Sequence, residues 1–464
     1  MKIDPKSRLS EIDPEVAWGA WSPTPEEPWD ARRVRLLFRR GGFGVDPATL
    51  RRALESSPEA CVSMLLGAAG TAAETRQQEI FEQESEGIAS AVRAGGDIDR
   101  LSSWWLHRML HSPRPLVEKM TLFWHGHFAT GADKVKDSEL MYEQNQFLRQ
   151  HAMGDVRAMV HGISKDAAML IYLDSESNRK AHPNENYARE LMELFCLGEG
   201  NYTEADVQEL ARCFTGWEVR RKRFRFNPYQ HDSGEKTVLG RGGLESGESA
   251  IDVVVSHDSM PTFLVSKLVK FLVMDEPQPT RAFLAPLAKT LVASEYAMEP
   301  VVRQILQSRL LLSGWSAGRK VRSPVEFALE LLRTLDATTN LDRLAKRLRP
   351  LGQALFYPPN VKGWDGGRAW INSSTLIGRS NFVFDVLGDE TTRYAGKTLD
   401  QWRQQNKLSD NTAWSEWLSD ALLAVPLPES ERRAWLADAA ERTNTKPGAA
   451  PIVALSQNPR IHLS

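Results

Sequence analysis

The sequence has few cysteines, no long hydrophobic run and no excess of charge of one sign. Its three cysteines, Cys61, Cys196 and Cys213, are an odd number at unrelated spacings, which argues against a disulfide framework and a thiolate zinc site. The 58 basic and 60 acidic residues give a formal net charge of -2, which argues against nucleic-acid binding. Because no stretch approaches the roughly 20 apolar residues of a membrane span and no secretory signal opens the sequence, we expect a cytoplasmic protein without a membrane span.

Helical periodicity dominates what is present. With 464 residues, 42% of them hydrophobic, the chain is long enough to bury a large core. Asp46 before Pro47 predicts a helix start, and Thr203 with Asp206 resembles a capping box. We therefore predict a mainly α, multi-helix globular array with long irregular segments rich in tryptophan and proline.

The predicted organisation has three parts. Residues 1–28 should form an irregular arm packed on the body, and 29–240 a helical domain that carries the candidate site. Residues 250–464 should form a second helical domain with an irregular Pro/Gly/Trp loop at 357–370. One small β-hairpin is expected near residues 218–240, where basic and apolar residues alternate.

The first candidate site is the His125-Gly-His127 element, which follows an amphipathic helix. Glycine between the histidines permits an extended or turned backbone, in which both imidazoles can reach one cation. Imidazole ligands favour a transition metal, such as zinc, iron or copper, over magnesium or calcium. His231, in a loop after the predicted hairpin, would complete a three-histidine set. The alternative is that all three are ordinary polar residues at a helix end and in a loop.

A second candidate site is the helix that begins near Asn184, which is polar on one face and apolar on the other. Its polar face carries Glu185, Asn186, Arg189, Glu190 and Glu193. A solvated face with ion pairs such as Glu185 with Arg189 is one explanation. If the helix is central, its carboxylates need partners. Glu190 or Glu193 is then a metal ligand or general base, and Arg189 orients an anionic substrate.

Other residues are candidates for substrate contacts. Asn184, Asn186, Trp124 and Trp364 adjoin the two motifs or the irregular loop, and tryptophan is enriched, with 14 in the chain. Tryptophans stack on sugars, but most are core anchors. A basic set could hold a phosphate, sulfate or uronate, although structural or solvated ion pairing explains it as well. Its members are Arg32, Arg33, Arg39, Arg40, Lys362 and Arg368.

Five segments resemble the bacterial family known as domain of unknown function 1800 (DUF1800). They are Leu36 to Gly44, Phe123 to Phe128, Asn184 to Leu194 with Gly200 to Glu204 and Phe214 to Trp217, Phe226 to Gly234, and Pro359 to Trp364. The resemblance implies a mainly helical protein and a possible partner, an exported protein related to alkaline phosphatases or sulfatases that is often encoded nearby. Family members often carry His at position 195 and Ala at 213, so Phe195 and Cys213 are not taken as ligands.

Together these features predict a metal-dependent enzyme in which His125, His127 and His231 hold the metal. Hydrolysis of an anionic or glycan substrate is the default reaction, because a bound divalent metal lowers the pKa of water. A copper- or iron-dependent oxidative enzyme would use the same ligands. The other hypothesis is a non-catalytic partner of an envelope or phosphatase/sulfatase-like protein, with Trp364 and Trp370 exposed and the histidines far apart. The sequence predicts no oligomeric state.

Overall fold

The computed structural model describes residues 3–67, 70–446 and 448–464, and helices account for most of them. The mainly α prediction is confirmed. Within these ranges, no helix combines the length and the apolar character needed to cross a membrane. The amino-terminal arm packs on the body through indole hydrogen bonds, since Trp18 Nε1 donates to the Phe283 carbonyl oxygen and Trp315 Nε1 to that of Ser7.

The amino-terminal half contains the helices that carry the predicted motifs. They are α1 (Pro14–Trp18), α2 (Ala31–Gly41), α3 (Pro47–Leu54), α4 (Pro58–Leu66), α5 (Ala72–Gly95), α6 (Ile98–His111), α7 (Pro115–His127), α8 (Ala132–Val135), α9 (Ser138–His151), α10 (Val156–Ser164), α11 (Ala167–Tyr172), α12 (Asn186–Glu190) and α13 (Glu204–Cys213). A π-helical turn, Leu191–Cys196, continues α12. The expected caps are present, because the Asp46 carboxylate accepts from two backbone N–H groups of α3 and Thr203 forms a capping box with Asp206.

The carboxyl-terminal half is also built from short helices. They are α14 (Gly247–Val255), α15 (Met260–Leu272), α16 (Arg281–Ala293), α17 (Met298–Leu306), α18 (Arg309–Leu312), α19 (Pro324–Thr334), α20 (Leu341–Leu348), α21 (Ser373–Gly388), α22 (Leu399–Gln405), α23 (Asn411–Leu422), α24 (Glu429–Glu441) and α25 (Ala450–Leu455). The segment 357–370 is irregular up to a short 3₁₀ turn at Gly367–Trp370, as its proline and glycine content predicts.

In the part of the chain that the structure describes, the β structure consists of two small antiparallel pairs. The predicted hairpin is formed by β1 (Trp217–Arg220) and β2 (Arg223–Phe226), joined by two residues with positive φ as a type I′ turn requires. It is shorter than expected, because the chain reverses at Arg221 and Lys222 and the pairing ends at Phe226. Residues 236–240 therefore contribute only an isolated bridge. The second pair is β3 (Ala337–Thr338) with β4 (Arg393–Tyr394).

Helix α7 lies at the centre of the molecule. Every residue from Pro115 to His127 except Gly126 is buried, and α7 contributes side chains to both hydrophobic clusters of the core. The expectation of an extended or turned backbone at His125-Gly-His127 was wrong, since these residues form the last turn of the helix. Packing of Phe123, Trp124 and Phe128 on all sides outweighs the low helix propensity of glycine. The predicted division between two domains stays a prediction.

Candidate functional site

A cavity of about 250 Å³ opens at the carboxyl end of α7. One wall is formed by α7 through Phe123, Gly126 and His127, and a second by Lys267, Lys270 and Phe271 of α15. The 357–370 segment forms the third wall with Lys362, Trp364, Asp365, Gly366 and Trp370. The floor includes Asp275, Lys320, Ser323, Glu326 and Gln353. Two of the family-like segments, Phe123 to Phe128 and Pro359 to Trp364, therefore meet at one site.

The 357–370 segment is seated directly on α7 through a pair of glycines. Gly363 has a φ of +75°, and a Cβ at this position would overlap the carbonyl oxygen of Gly126. The Trp364 ring lies 3.8 Å from where a Cβ on Gly126 would stand, and its centroid is 5.8 Å from that of the His125 ring. The close approach of two backbones thus fixes Lys362 and Trp364 at the cavity.

Four lysines line the cavity, and they differ in their partners. Lys320 is buried and lies 3.8 Å from Asp275 Oδ1, while Lys270 donates to the Asp365 carbonyl oxygen at 2.9 Å. Among the described residues, neither Lys267, Lys270 nor Lys362 forms an ion pair with a carboxylate. Burial lowers the pKa of Lys267 to about 8, and the positive charge of Lys270 contributes to this shift.

Two of the three cavity carboxylates are engaged by groups behind the wall. Glu326 is ion-paired with the buried Lys119. Burial alone would raise the pKa of Glu326, but the charges of Lys119 and Lys320 overcome this and lower it to about 2. Asp275 Oδ2 accepts from the Val321 N–H at 2.6 Å. Glu326 and Asp275 are therefore bound within the protein, and the cationic groups of the cavity keep capacity for an external anion.

His125 and His127 are both buried and point to different sides of α7. His125 Nε2 accepts from the Phe356 N–H at 3.2 Å, and burial lowers the pKa of His125 to about 3. His127 Nε2 donates to the Phe195 carbonyl oxygen at 2.9 Å, which leaves Nδ1 as its acceptor, without a partner among the described residues. Burial, with the nearby charge of Lys267, lowers the pKa of His127 well below its ordinary value. Both imidazoles are thus neutral, and only His127 lines the cavity.

His231 belongs to a different part of the molecule, beside the hairpin. Its Nδ1 lies 2.8 Å from the Thr215 carbonyl oxygen, and its Nε2 lies 2.9 Å from that of Glu245. Within residues 3–67, 70–446 and 448–464, no group of three or more His, Cys, Asp or Glu side chains is arranged to hold a metal ion. The structure therefore does not bring His125, His127 and His231 into one ligand set. Residues two apart on a helix point about 200° apart, which explains why the two α7 histidines diverge.

The polar face of α12 is largely occupied by its own ion pairs. Arg189 pairs with Glu185 at 3.0 Å and also with Glu204, and Glu193 Oε2 accepts from the Tyr202 hydroxyl at 2.9 Å. Burial, together with the charge of Glu193, raises the pKa of Glu190, while the charge of Lys362 opposes this shift. Glu190 is therefore the acidic residue of this face that is electrostatically coupled to a cavity lysine.

The remaining predicted contact residues, except Trp364, make hydrogen bonds within the fold. Asn184 Nδ2 donates to the Asp174 carbonyl oxygen and its Oδ1 accepts from the Asn186 N–H, both at 2.9 Å. Asn186 Nδ2 lies 3.4 Å from the Leu173 carbonyl oxygen. Trp124 Nε1 donates to Ala152 in the core. The buried Arg40 guanidinium donates to backbone carbonyl oxygens, including that of Val273 at 2.8 Å.

The sequence predicts only some of the residues that line this cavity. The sequence predicts Lys362, as part of the basic set, and Trp364, beside the irregular loop, as contact residues. It does not predict this role for Lys267, Lys270 or Lys320. One feature of the sequence could have predicted them: Lys267 and Lys270 are three residues apart in the mostly apolar helix α15, and this spacing places them on the same face. Trp370 is buried and Trp364 half-buried, because both indoles wall the cavity, so the expectation that both are exposed was wrong.

Comparison with known proteins agrees with the resemblance of the motifs. The family model described as protein of unknown function (DUF1800) matches residues 36–459. Neither the curated proteins nor the solved structures give a match. The family match covers most of the chain, including every residue that lines the cavity. This chain therefore belongs to the DUF1800 family of proteins of unknown function.

Proposed function

We propose that the cavity at the end of α7 binds a small organic anion that carries one planar ring. The observation that carries this proposal is the set of cavity lysines, Lys267, Lys270 and Lys362, that form no ion pair among the described residues. A cationic group facing a concave, partly apolar wall is stabilised by an anion that takes the place of lost water. The ligand supplies the missing negative charge.

The size and lining of the cavity support a ligand of this class. A dry cavity of about 150 Å³ holds benzene, so about 250 Å³ accommodates one ring with an acidic substituent. Trp364, Trp370, Phe123 and Phe271 provide aromatic surface for the ring. The lysines then determine that the substituent is a carboxylate, phosphate or sulfate.

The metal-dependent hydrolase, the copper- or iron-dependent oxidative enzyme and the non-catalytic partner all stay predictions. The same is true of three further predictions: zinc, iron or copper as a cofactor, the phosphatase/sulfatase-like partner and the cytoplasmic location. The anion proposal is compatible with an anionic substrate for any such enzyme. In this proposal the cavity lysines recognise the anion. The sequence predicts Lys362 and Trp364 of the cavity as contacts, together with Asn184, Asn186, Trp124 and Arg40, which do not line it.

The proposal is tested by titrating the full chain with benzoate and phenyl phosphate, with benzyl alcohol as the neutral control. Isothermal calorimetry measures affinity, and tryptophan fluorescence reports occupation beside Trp364 and Trp370. Lys270→Met and Lys362→Met should each weaken anion binding about fivefold, because one charge-assisted contact is lost. Lys289→Met removes an exposed lysine of α16 outside the cavity and should leave the affinity unchanged.

Two results would contradict the proposal. The first is an absence of saturable binding by both anions. The second is equal binding of benzoate and benzyl alcohol, which would show that charge does not contribute to recognition. An equal loss of affinity in Lys289→Met and Lys362→Met would likewise show that the effect is one of overall charge and not of the cavity.

A further inference from the structure

Lys267 has surroundings unlike those of the other cavity lysines. Its ammonium nitrogen lies 4.9 Å from the centroid of the Phe263 ring, and Lys270 is one helical turn away on α15. Lys320 has Asp275 as a partner, Lys270 is exposed and hydrogen-bonded, and Lys362 is exposed and coupled to Glu190. Lys267 alone among the four combines partial burial and a like charge nearby with the absence of a hydrogen-bonded or ion-paired partner among the described residues.

Burial and the charge of Lys270 make the neutral amine of Lys267 more accessible than that of an exposed lysine, while the contact with the Phe263 ring acts in the opposite direction. Removal of water penalises the charged form, and a neighbouring cation penalises it again. The same combination of a desolvated lysine beside another cation activates lysine nucleophiles in enzymes. With its pKa lowered to about 8, Lys267 is neutral in a far larger fraction at neutral pH than an exposed lysine.

We infer that Lys267 is a nucleophilic amine that forms an imine with a carbonyl group of the anionic ligand. The ligand class is an organic acid that also carries an aldehyde or ketone. This inference rests on the proposed anion site, since Lys270 and Lys362 hold the acid group while Lys267 meets the carbonyl carbon. The cavity would therefore form a covalent bond with its ligand in addition to binding it.

The step balances without an oxidant or a reductant. The lone pair of Lys267 Nζ forms a C–N bond while the carbonyl π bond breaks, and one proton passes from nitrogen to oxygen to give a carbinolamine. The C–O bond then breaks, and the hydroxyl group leaves with the second N–H proton as water while the C=N bond forms. The acid group of the ligand keeps its charge throughout.

The test uses the full chain and 4-formylbenzoate, which combines a ring, a carboxylate and an aldehyde. Cyanoborohydride reduces any imine to a stable secondary amine, and peptide mass spectrometry locates it. Lys267 should be labelled at least about tenfold faster than Lys289 at pH 7, because its neutral fraction is larger. An excess of 4-methylbenzoate, which lacks the aldehyde, should protect Lys267 and leave the labelling of Lys289 unchanged.

Lys267→Arg is the matched variant, since it retains positive charge and length but forms no stable imine. It should lose labelling at this position, whereas Lys289→Arg, at an exposed lysine outside the cavity, should still be labelled at Lys267. Saturable binding of 4-methylbenzoate with no preference for Lys267 in labelling would overturn this inference and leave the proposed function standing. No saturable binding would overturn the proposed function. If Lys267 were labelled preferentially but 4-methylbenzoate did not protect it, Lys267 would be reactive without being part of an anion site. That result would overturn the inference that Lys267 reacts with a bound anion.

Discussion

The two ends of α7 differ in whether the charged groups around them are ion-paired. At the amino end, Glu118 binds Arg108 Nε at 2.9 Å and Arg149 Nε at 2.8 Å, and its Oε2 accepts from Trp105 Nε1 at 3.1 Å. At the carboxyl end, the imidazoles of His125 and His127 are neutral, and Lys267 beside them has no carboxylate partner among the described residues.

The difference separates residues that maintain the fold from residues that are available to a ligand. Glu118 is saturated by neighbours from α6 and α9, so it has no remaining capacity for an external group. At the carboxyl end the two imidazoles are buried and Lys267 is partly buried, but no carboxylate among the described residues compensates the charge of Lys267. A buried region that is fully paired indicates structure, whereas incomplete pairing beside a cavity indicates binding or chemistry.

The largest test of this comparison is Glu118→Gln at the paired end. Removing this carboxylate leaves the buried guanidinium group of Arg149 without its counter-charge and leaves Arg108 with Glu82 alone. The free energy of unfolding should fall by about 3–5 kcal/mol, measured by urea denaturation. Glu429→Gln, which removes an exposed carboxylate of α24, is the control and should have no measurable effect. Equal stability of the two variants would break the comparison.

The next effect is a pH dependence contributed by the carboxyl end. Burial holds the pKa of His125 at about 3, below the ordinary histidine value of about 6.5, so only the unfolded state gains this proton as the pH falls. The stabilising contribution of neutral His125 is therefore complete above pH 6.5 and is lost progressively between 6.5 and 3.

His125→Gln retains an acceptor for the Phe356 N–H but does not titrate in this range. The slope of unfolding free energy against pH between 6.5 and 5 should fall by up to about 1.4 kcal/mol per pH unit. The comparison isolates His125, because other groups that titrate in this window, such as Asp166 with a pKa raised by burial to about 6, are common to both variants. An unchanged slope would show that His125 is not held neutral.

A third test concerns the contact that seats the 357–370 segment on α7. Gly363→Ala introduces a Cβ that overlaps the Gly126 carbonyl oxygen, whereas Gly240→Ala has the same φ of +75° and no atom within 4 Å. Both variants strain the backbone, so their difference isolates the close approach and should amount to about 1–3 kcal/mol. Gly363→Ala should also weaken benzoate binding, and an equal affinity in both variants would contradict the placement of Lys362 and Trp364.

Local patterns predicted the elements well where a side chain acts on its own backbone. Asp46 before Pro47 and Thr203 with Asp206 define helix starts that the structure contains. The basic alternation around residue 220 predicted the hairpin, although its end was misplaced because the tight turn at Arg221 and Lys222 ends the pairing at Phe226. The backbone of His125-Gly-His127 was mispredicted, since burial on all sides kept the glycine helical.

The sequence by itself determined the helical class, the family and the two segments, Phe123 to Phe128 and Pro359 to Trp364, that build the cavity. Hydrophobic periodicity, helix capping and the motifs depend on residues that are close together in sequence, so they can be identified without the structure. Only the tertiary structure decided that Gly126 and Gly363 touch and that Lys267 joins them from α15. These residues are separated by more than 90 positions, and the pairing or exposure of each charge depends on neighbours that no local pattern specifies.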